Sequence, residues 1–166
     1  MDVAPEPGPD GSEVNPYQDS ISFVAAGDLS NAKSQRLAIV RYHQVVRRKS
    51  NGEVFHDETG YWLWDAAASV VMHSLVIPRG VALLAGGSYN GETDADGRVI
   101  LNVAAGVDNP DWGIIQSPFM QQNARTTDFT QTVTVGAGRL SYSETTLLDI
   151  YGKPFEHTDQ SELLPA

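Results

Sequence analysis

Apolar and polar residues alternate along most of this chain with a period of two, the signature of half-buried β-strands whose successive side chains point to opposite faces. Ile21, Phe23 and Ala25 alternate with Ser20 and Ser22, and a turn-like stretch from Gly27 to Asn31 follows. Across residues 36–48, Ala38, Val40, Tyr42 and Val46 fall on one face and Arg41, His43 and Arg47 on the other. The pattern predicts further strands over 54–64, 70–77, 81–87, 99–104, 127–135, 139–150 and about 154–163. Ser50-Asn51-Gly52, Asp94-Ala95-Asp96-Gly97 and Gly136-Ala137-Gly138 punctuate them, since Asn and Gly tolerate the positive φ of tight turns. Residues 110–123 break the rhythm and predict a loop with one short helical turn lying over an end of the sheet.

No segment has a convincing helical period. Sequential hairpins therefore predict an all-β fold, an up-and-down antiparallel β-barrel of about nine to ten strands, with a β-sandwich as the rival. Barrels of this strand number enclose room for one small ligand. Residues 1–16 are dense in Pro and Gly and predict an irregular leader, leaving residues 17–166 as a single barrel domain.

Composition narrows the function classes. With 11 Lys+Arg against 21 Asp+Glu, the net charge of −10 repels phosphate backbones and anionic lipid heads. Neither nucleic acid nor a membrane surface is expected as a partner. The absence of Cys excludes disulfides, thiolate zinc sites, iron–sulfur clusters and a Cys nucleophile, and fits a cytoplasmic home. There is no signal-peptide pattern and no run of about 18 apolar residues.

Among candidate site residues, His157 stands first. It lies on the last predicted strand, with Phe155 and Leu163 on its face. An imidazole projecting from an apolar barrel wall can hold a haem iron on one side and leave the other open. A surface or hydrogen-bonded histidine gives the same spacing, so the pattern alone leaves both open. His56 and Glu58 share a strand face, as acid–base work would need, or as a hydrogen-bonded pair would. His43 and His73 are isolated and read as wall residues. Trp62 and Trp64 share a face suited to packing or to stacking on a cofactor, and Trp112 sits in the long loop as a lid or as an anchor. Asp159, two residues past His157, reads as solvated or as an orienting group.

Three stretches carry a family resemblance: His56-Asp57-Glu58-Thr59-Gly60-Tyr61, Ile77-Pro78-Arg79-Gly80 leading into 81–87, and Gly138-Arg139-Leu140-Ser141-Tyr142 through Gly152-Lys153-Pro154-Phe155-Glu156-His157. Over roughly residues 17–164 the chain resembles the nitrobindin family of haem-binding β-barrels, also described as lipocalin-like or fatty-acid-binding-protein-like. The resemblance implies that His157 is the axial ligand of a ferric haem b and that Arg125 contacts the haem. It further implies nitric oxide binding and isomerisation of peroxynitrite to nitrate, with the iron rather than an acid, base or nucleophile carrying the chemistry. The alternative is a carrier of a fatty acid or other apolar small molecule without haem, in which Arg41 and Tyr142 grip a carboxylate.

One departure shapes the expectations. The family opens with a short helix and a first strand bearing Gly-x-Trp-x-Gly-x-Gly, and the chain has no such pattern. A barrel one strand short exposes two sheet edges. The seam is therefore expected to be covered by the leader or by a second subunit in a homodimer.

Overall fold

The computed structural model describes residues 2–5, 12–29 and 34–166. Its strands follow the alternation closely: β3 (Tyr17–Leu29), β4 (Leu37–Arg48), β5 (Val54–Asp65), β6 (Val70–Ile77), β7 (Val81–Ser88), β8 (Val99–Gly106), β10 (Ala124–Gly136), β11 (Arg139–Ile150) and β12 (Lys153–Leu163). The segment expected as a loop carries a three-residue strand, β9 (Ile114–Gln116), paired with β7, and the helix α1 (Pro118–Asn123). Ser117 caps α1 by accepting from the Met120 amide, and Pro118 opens its first turn, where no amide donor is needed. No helix among the described residues is long and apolar enough to cross a membrane.

Neighbouring strands pair antiparallel in the order β12-β11-β10-β8-β7-β6-β5-β4-β3, so a meander curls into a half-barrel as expected. Its hairpins are tight. Between β10 and β11 the chain turns through Gly136, Ala137 and Gly138 with φ of 147°, 51° and 71°, positive angles that the two glycines adopt without strain and that Ala137 takes up between them. The core sits on the concave face around Tyr42, Val71, Leu75, Leu83, Ala85, Val103, Ala105 and Phe129. Trp112 anchors the long connection: its indole lies flat over Gly86, where a Cβ would come within 2.3 Å of the ring.

The leader differs from its expectation. Asp2–Pro5 (β1) and Ser12–Asn15 (β2) form a hairpin, and β1 pairs with β12 through Asp2↔Asp159 and Val3↔Thr158. Pro5 is the last residue of β1, at the end of its ladder with β2, and Pro7 and Pro9 lie outside the described residues. The turn expected at 27–31 also falls partly outside them, and β3 runs on to Leu29 with a bulge between Ala25 and Gly27.

The leader thus covers the β12 edge, and the seam between β12 and β3 has no backbone ladder among the described residues. Side chains bridge it instead. The Tyr17 hydroxyl faces Asp159 Oδ1 and the Gln160 carbonyl at 2.8 Å, and the Tyr142 hydroxyl donates to Asp19 Oδ2 at 2.8 Å with Asp159 Oδ2 3.1 Å away.

Candidate functional site

The concave face is far more polar than a barrel core needs to be. Alternation places Tyr42 and Gln44 on it from β4, Glu58 from β5, His73 from β6, Gln131 from β10, and Tyr142 and Glu144 from β11. Such groups persist inside only when hydrogen-bonded. Tyr42 donates to Glu58 Oε1 at 2.8 Å, His56 Nε2 lies 3.1 Å from Glu58 Oε2, and His73 Nε2 lies 2.8 Å from the Tyr42 oxygen. Gln44 donates to Asp19 Oδ2 and to the Tyr142 oxygen, both at 3.1 Å, and Gln131 donates to Glu144 Oε2 at 3.0 Å.

Electrostatics sort these groups by charge. Burial would raise the Glu58 carboxyl, but the hydrogen bond and charge of His56 outweigh it and hold Glu58 below its ordinary value. His56 is raised in turn: burial opposes its charge, and the Glu58 bond and charge prevail. Burial pushes His73 down to about 4 against the pull of Glu58 and Gln131, so it is neutral. Burial first, then the charges of Glu58 and Asp159, hold Glu144 well above the usual carboxylate range. Asp19 is raised by burial, with the Tyr142 bond opposing. An ionised pair, His56 with Glu58, therefore faces a carboxyl, Glu144, that keeps its proton.

These groups surround the His73 ring. Ionised Glu58 can only accept, so the Tyr42 proton goes to it. His73 Nε2 then faces the Tyr42 oxygen as donor, and the Gln131 side chain bonds the same ring. Trp62 stacks on the imidazole at 4.2 Å between centroids and 6° between planes. His73 and Gln131 line a cavity of about 20 Å³ with Tyr42, Glu58 and Trp62. Sequence reasoning took His73 for an ordinary wall residue and passed over Gln44, Gln131 and Glu144. A signal was available: each interrupts an apolar period-two face, as His73 does between Val71 and Leu75 and Gln131 between Phe129 and Val133.

His157 is half-buried on β12, paired with Thr146, which pairs in turn with Phe129. That row lies on the concave face, as does the next one toward the β11–β12 turn, where Leu148 pairs with Phe155. His157 thus projects beside an apolar patch. Arg125 does not join it: paired with Asp149 and exposed, it stands on the opposite face from its buried neighbour Thr126. Arg41 is likewise exposed beside buried Tyr42, so no Arg41–Tyr142 grip is assembled. His43 pairs with Asp57 on the outside at 3.2 Å, and Trp64 packs edge-on against Tyr89. Asp159 is no bystander. It lies against both seam tyrosines, facing the Tyr17 hydroxyl and 3.1 Å from the Tyr142 oxygen.

The THAP4-like, heme-binding beta-barrel domain matches residues 7–164, and the chain belongs to that family. Among solved structures it is similar to Rv2717c from M. tuberculosis, with a TM-score of 0.59 and 19% identity over 80% of each chain, a likeness of fold. No curated protein matches the sequence.

Proposed function

We propose that this member of the haem-binding barrel family holds ferric haem b through His157 and handles nitric oxide and peroxynitrite there. The observation that carries the reading is the place of His157: half-buried, on the concave face of the last strand, beside the apolar pair Leu148 and Phe155. Neutral imidazole is a good donor to iron, and an apolar flank suits the porphyrin face. Lining and donor fit the group on the His157 side of the concave face. The enclosed part behind, with about 20 Å³ of space and several carboxylates, does not take a porphyrin, because ligand chambers of that kind need about 300 Å³ or more.

Bound ferric haem supplies a Lewis-acidic coordination position for nitric oxide or peroxynitrite. The chain supplies the rest. His157 donates and orients, while Leu148, Phe155 and Phe129 exclude water. The paired His56 and Glu58 satisfy each other's charge rather than offering it to a ligand. Arg125, facing outward, takes no part.

Absorption spectra of the protein with added haemin test this. The wild type should give a Soret band that shifts on adding nitric oxide, His157→Ala should lose it, and Arg125→Ala should keep it. Free-haemin spectra in all three overturn the proposal.

A further inference from the structure

Period-two alternation turns every second residue of this sheet outward, and the two halves of the exterior fill those positions differently. On β8, β10 and β11 they are polar: Thr130 pairs with Thr145, and Thr132 stands between Asn102 and Ser143. On β5, β6, β7 and β9 they are mostly apolar. Trp62, His73, Leu75 and Leu83 face the core, so Tyr61, Ser74, Val76 and Leu84 face out, with Tyr61, Ser74 and Leu84 paired in one row. The row beside it runs through Thr59, Val76, Ala82 and Ile115. On the other side Leu63 pairs with Met72 and Met72 with Gly86, over which the Trp112 indole lies.

These side chains meet solvent: Tyr61 is 44% exposed, Leu84 39%, Val76 52% and Ile115 75%. Scattered exposed apolar residues are ordinary, but these are neighbours in register, and no Lys, Arg, Asp or Glu stands in the three rows. On a chain of net charge −10, such a face is where two copies can touch without setting carboxylate against carboxylate. Its borders carry opposite charges. Arg41, paired with Tyr61, marks the β4 side, and Asp111, next to Trp112 in the chain, marks the β9 side, both exposed. A two-fold axis parallel to the strands lays the Arg41 of each copy toward the Asp111 of the other.

We propose that this outer face of β5, β6, β7 and β9 is the interface of a symmetric homodimer, in which Tyr61, Val76, Leu84 and Ile115 of one copy pack on the same residues of a second. Strands about 4.8 Å apart and rows about 6.8 Å apart give an apolar face of roughly 400 Å² once side-chain width is added. Two such faces with their borders reach the roughly 1,000 Å² of buried surface at which a specific interface begins, the size of a weak, reversible dimer. The strand order puts β6 at the centre of the sheet and β12 and β3 toward its ends, so the face lies away from the seam and from His157. The dimer therefore goes beyond the haem reading without depending on it.

Sedimentation velocity of the full-length protein, over a micromolar-to-millimolar concentration series, tests this. The wild type should pass from monomer to dimer within the series. Val76→Glu and Ile115→Glu, at positions already open to solvent, should each raise the dissociation constant by about tenfold or more while circular dichroism and thermal unfolding stay those of the wild type. Thr132→Glu adds the same charge to the polar half of the exterior and should leave the dimer unchanged. Arg41→Asp should weaken the dimer a few-fold, and adding Asp111→Arg to it should restore the wild-type value. His157→Ala should dimerise like the wild type, which separates this face from the haem site. A protein that stays monomeric throughout, or a dimer that Thr132→Glu weakens as much as Val76→Glu does, overturns the proposal and leaves the face to a different protein or a lipid surface. A charge swap that restores nothing overturns the two-fold arrangement.

Discussion

The wall from β5 to β8 and the seam where β3 meets β11 and β12 close the same half-barrel by different physics. On the wall, continuous antiparallel ladders join β5 to β6 and β6 to β7, and Val71, Leu75, Leu83, Ala85 and Val103 pack behind them. Contact there is so close that a Cβ on Gly60 would sit 1.8 Å from the Ser74 carbonyl oxygen. At the seam no ladder runs between β3 and β12, and Tyr17, Asp19, Tyr142 and Asp159 span the gap with hydrogen bonds. Backbone pairing and apolar burial are insensitive to pH and hard to open locally. Carboxylate–phenol bridges are neither, so the seam is the part of the barrel that pH and local opening reach first.

The largest expected effect lies on the wall. Leu75→Ala removes a side chain that is 2% exposed from the centre of the core cluster, and such cavities cost about 2–5 kcal/mol. Urea unfolding should show that loss at every pH. A loss under 1 kcal/mol would mean that the wall repacks and that the contrast with the seam is overstated.

Next in size is the titration of His73, between the two regions. Its folded value of about 4 lies below the ordinary 6.5, so the unfolded chain binds a proton in that window and the folded chain does not. Stability from this group is complete above pH 6.5 and is lost as the pH falls toward 4, a swing of roughly 3 kcal/mol. The difference in unfolding free energy between wild type and His73→Phe, measured at pH 4 and at pH 7, should change by about that amount. Glu144 works with the opposite sign. Its carboxyl is raised when folded, so its contribution is complete below its ordinary value of 4.5 and lost as the pH rises through the folded value. Glu144→Gln should therefore gain stability at high pH relative to the wild type. Parallel pH profiles for variant and wild type would show that Glu144 is ionised when folded.

Strand positions were legible because period two is robust wherever one face is buried: β6 and β11 match their predicted limits of 70–77 and 139–150. The leader was not, since Pro and Gly counts say where a ladder is interrupted but not that four-residue segments suffice to pair. The place of His157 on the concave face followed from alternation, and so did the pairing of His56 with Glu58. The outward face of Arg125 was not legible, because its role came from the resemblance alone and the bulge between Thr126 and Asp128 beside it is announced by no local residue pattern. The seam network was invisible for a different reason. Tyr17 and Asp159 are 142 residues apart, and only the curl of the whole sheet brings them together.

The smallest effect tests the seam most directly. Tyr17→Phe keeps the ring and its edge contact with Phe55 but removes the hydroxyl that reaches Asp159 and the Gln160 carbonyl, and a hydrogen bond of this kind contributes about 1 kcal/mol net. Global unfolding should barely move, because the ladders of the wall do not depend on it. Amide hydrogen exchange should move, and in one place: β12 amides around Asp159 and Gln160 should exchange about fivefold faster while those of β6 stay at the wild-type rate. Uniform acceleration in both strands would mean that seam and wall open together as one cooperative unit, and the division between them would fall.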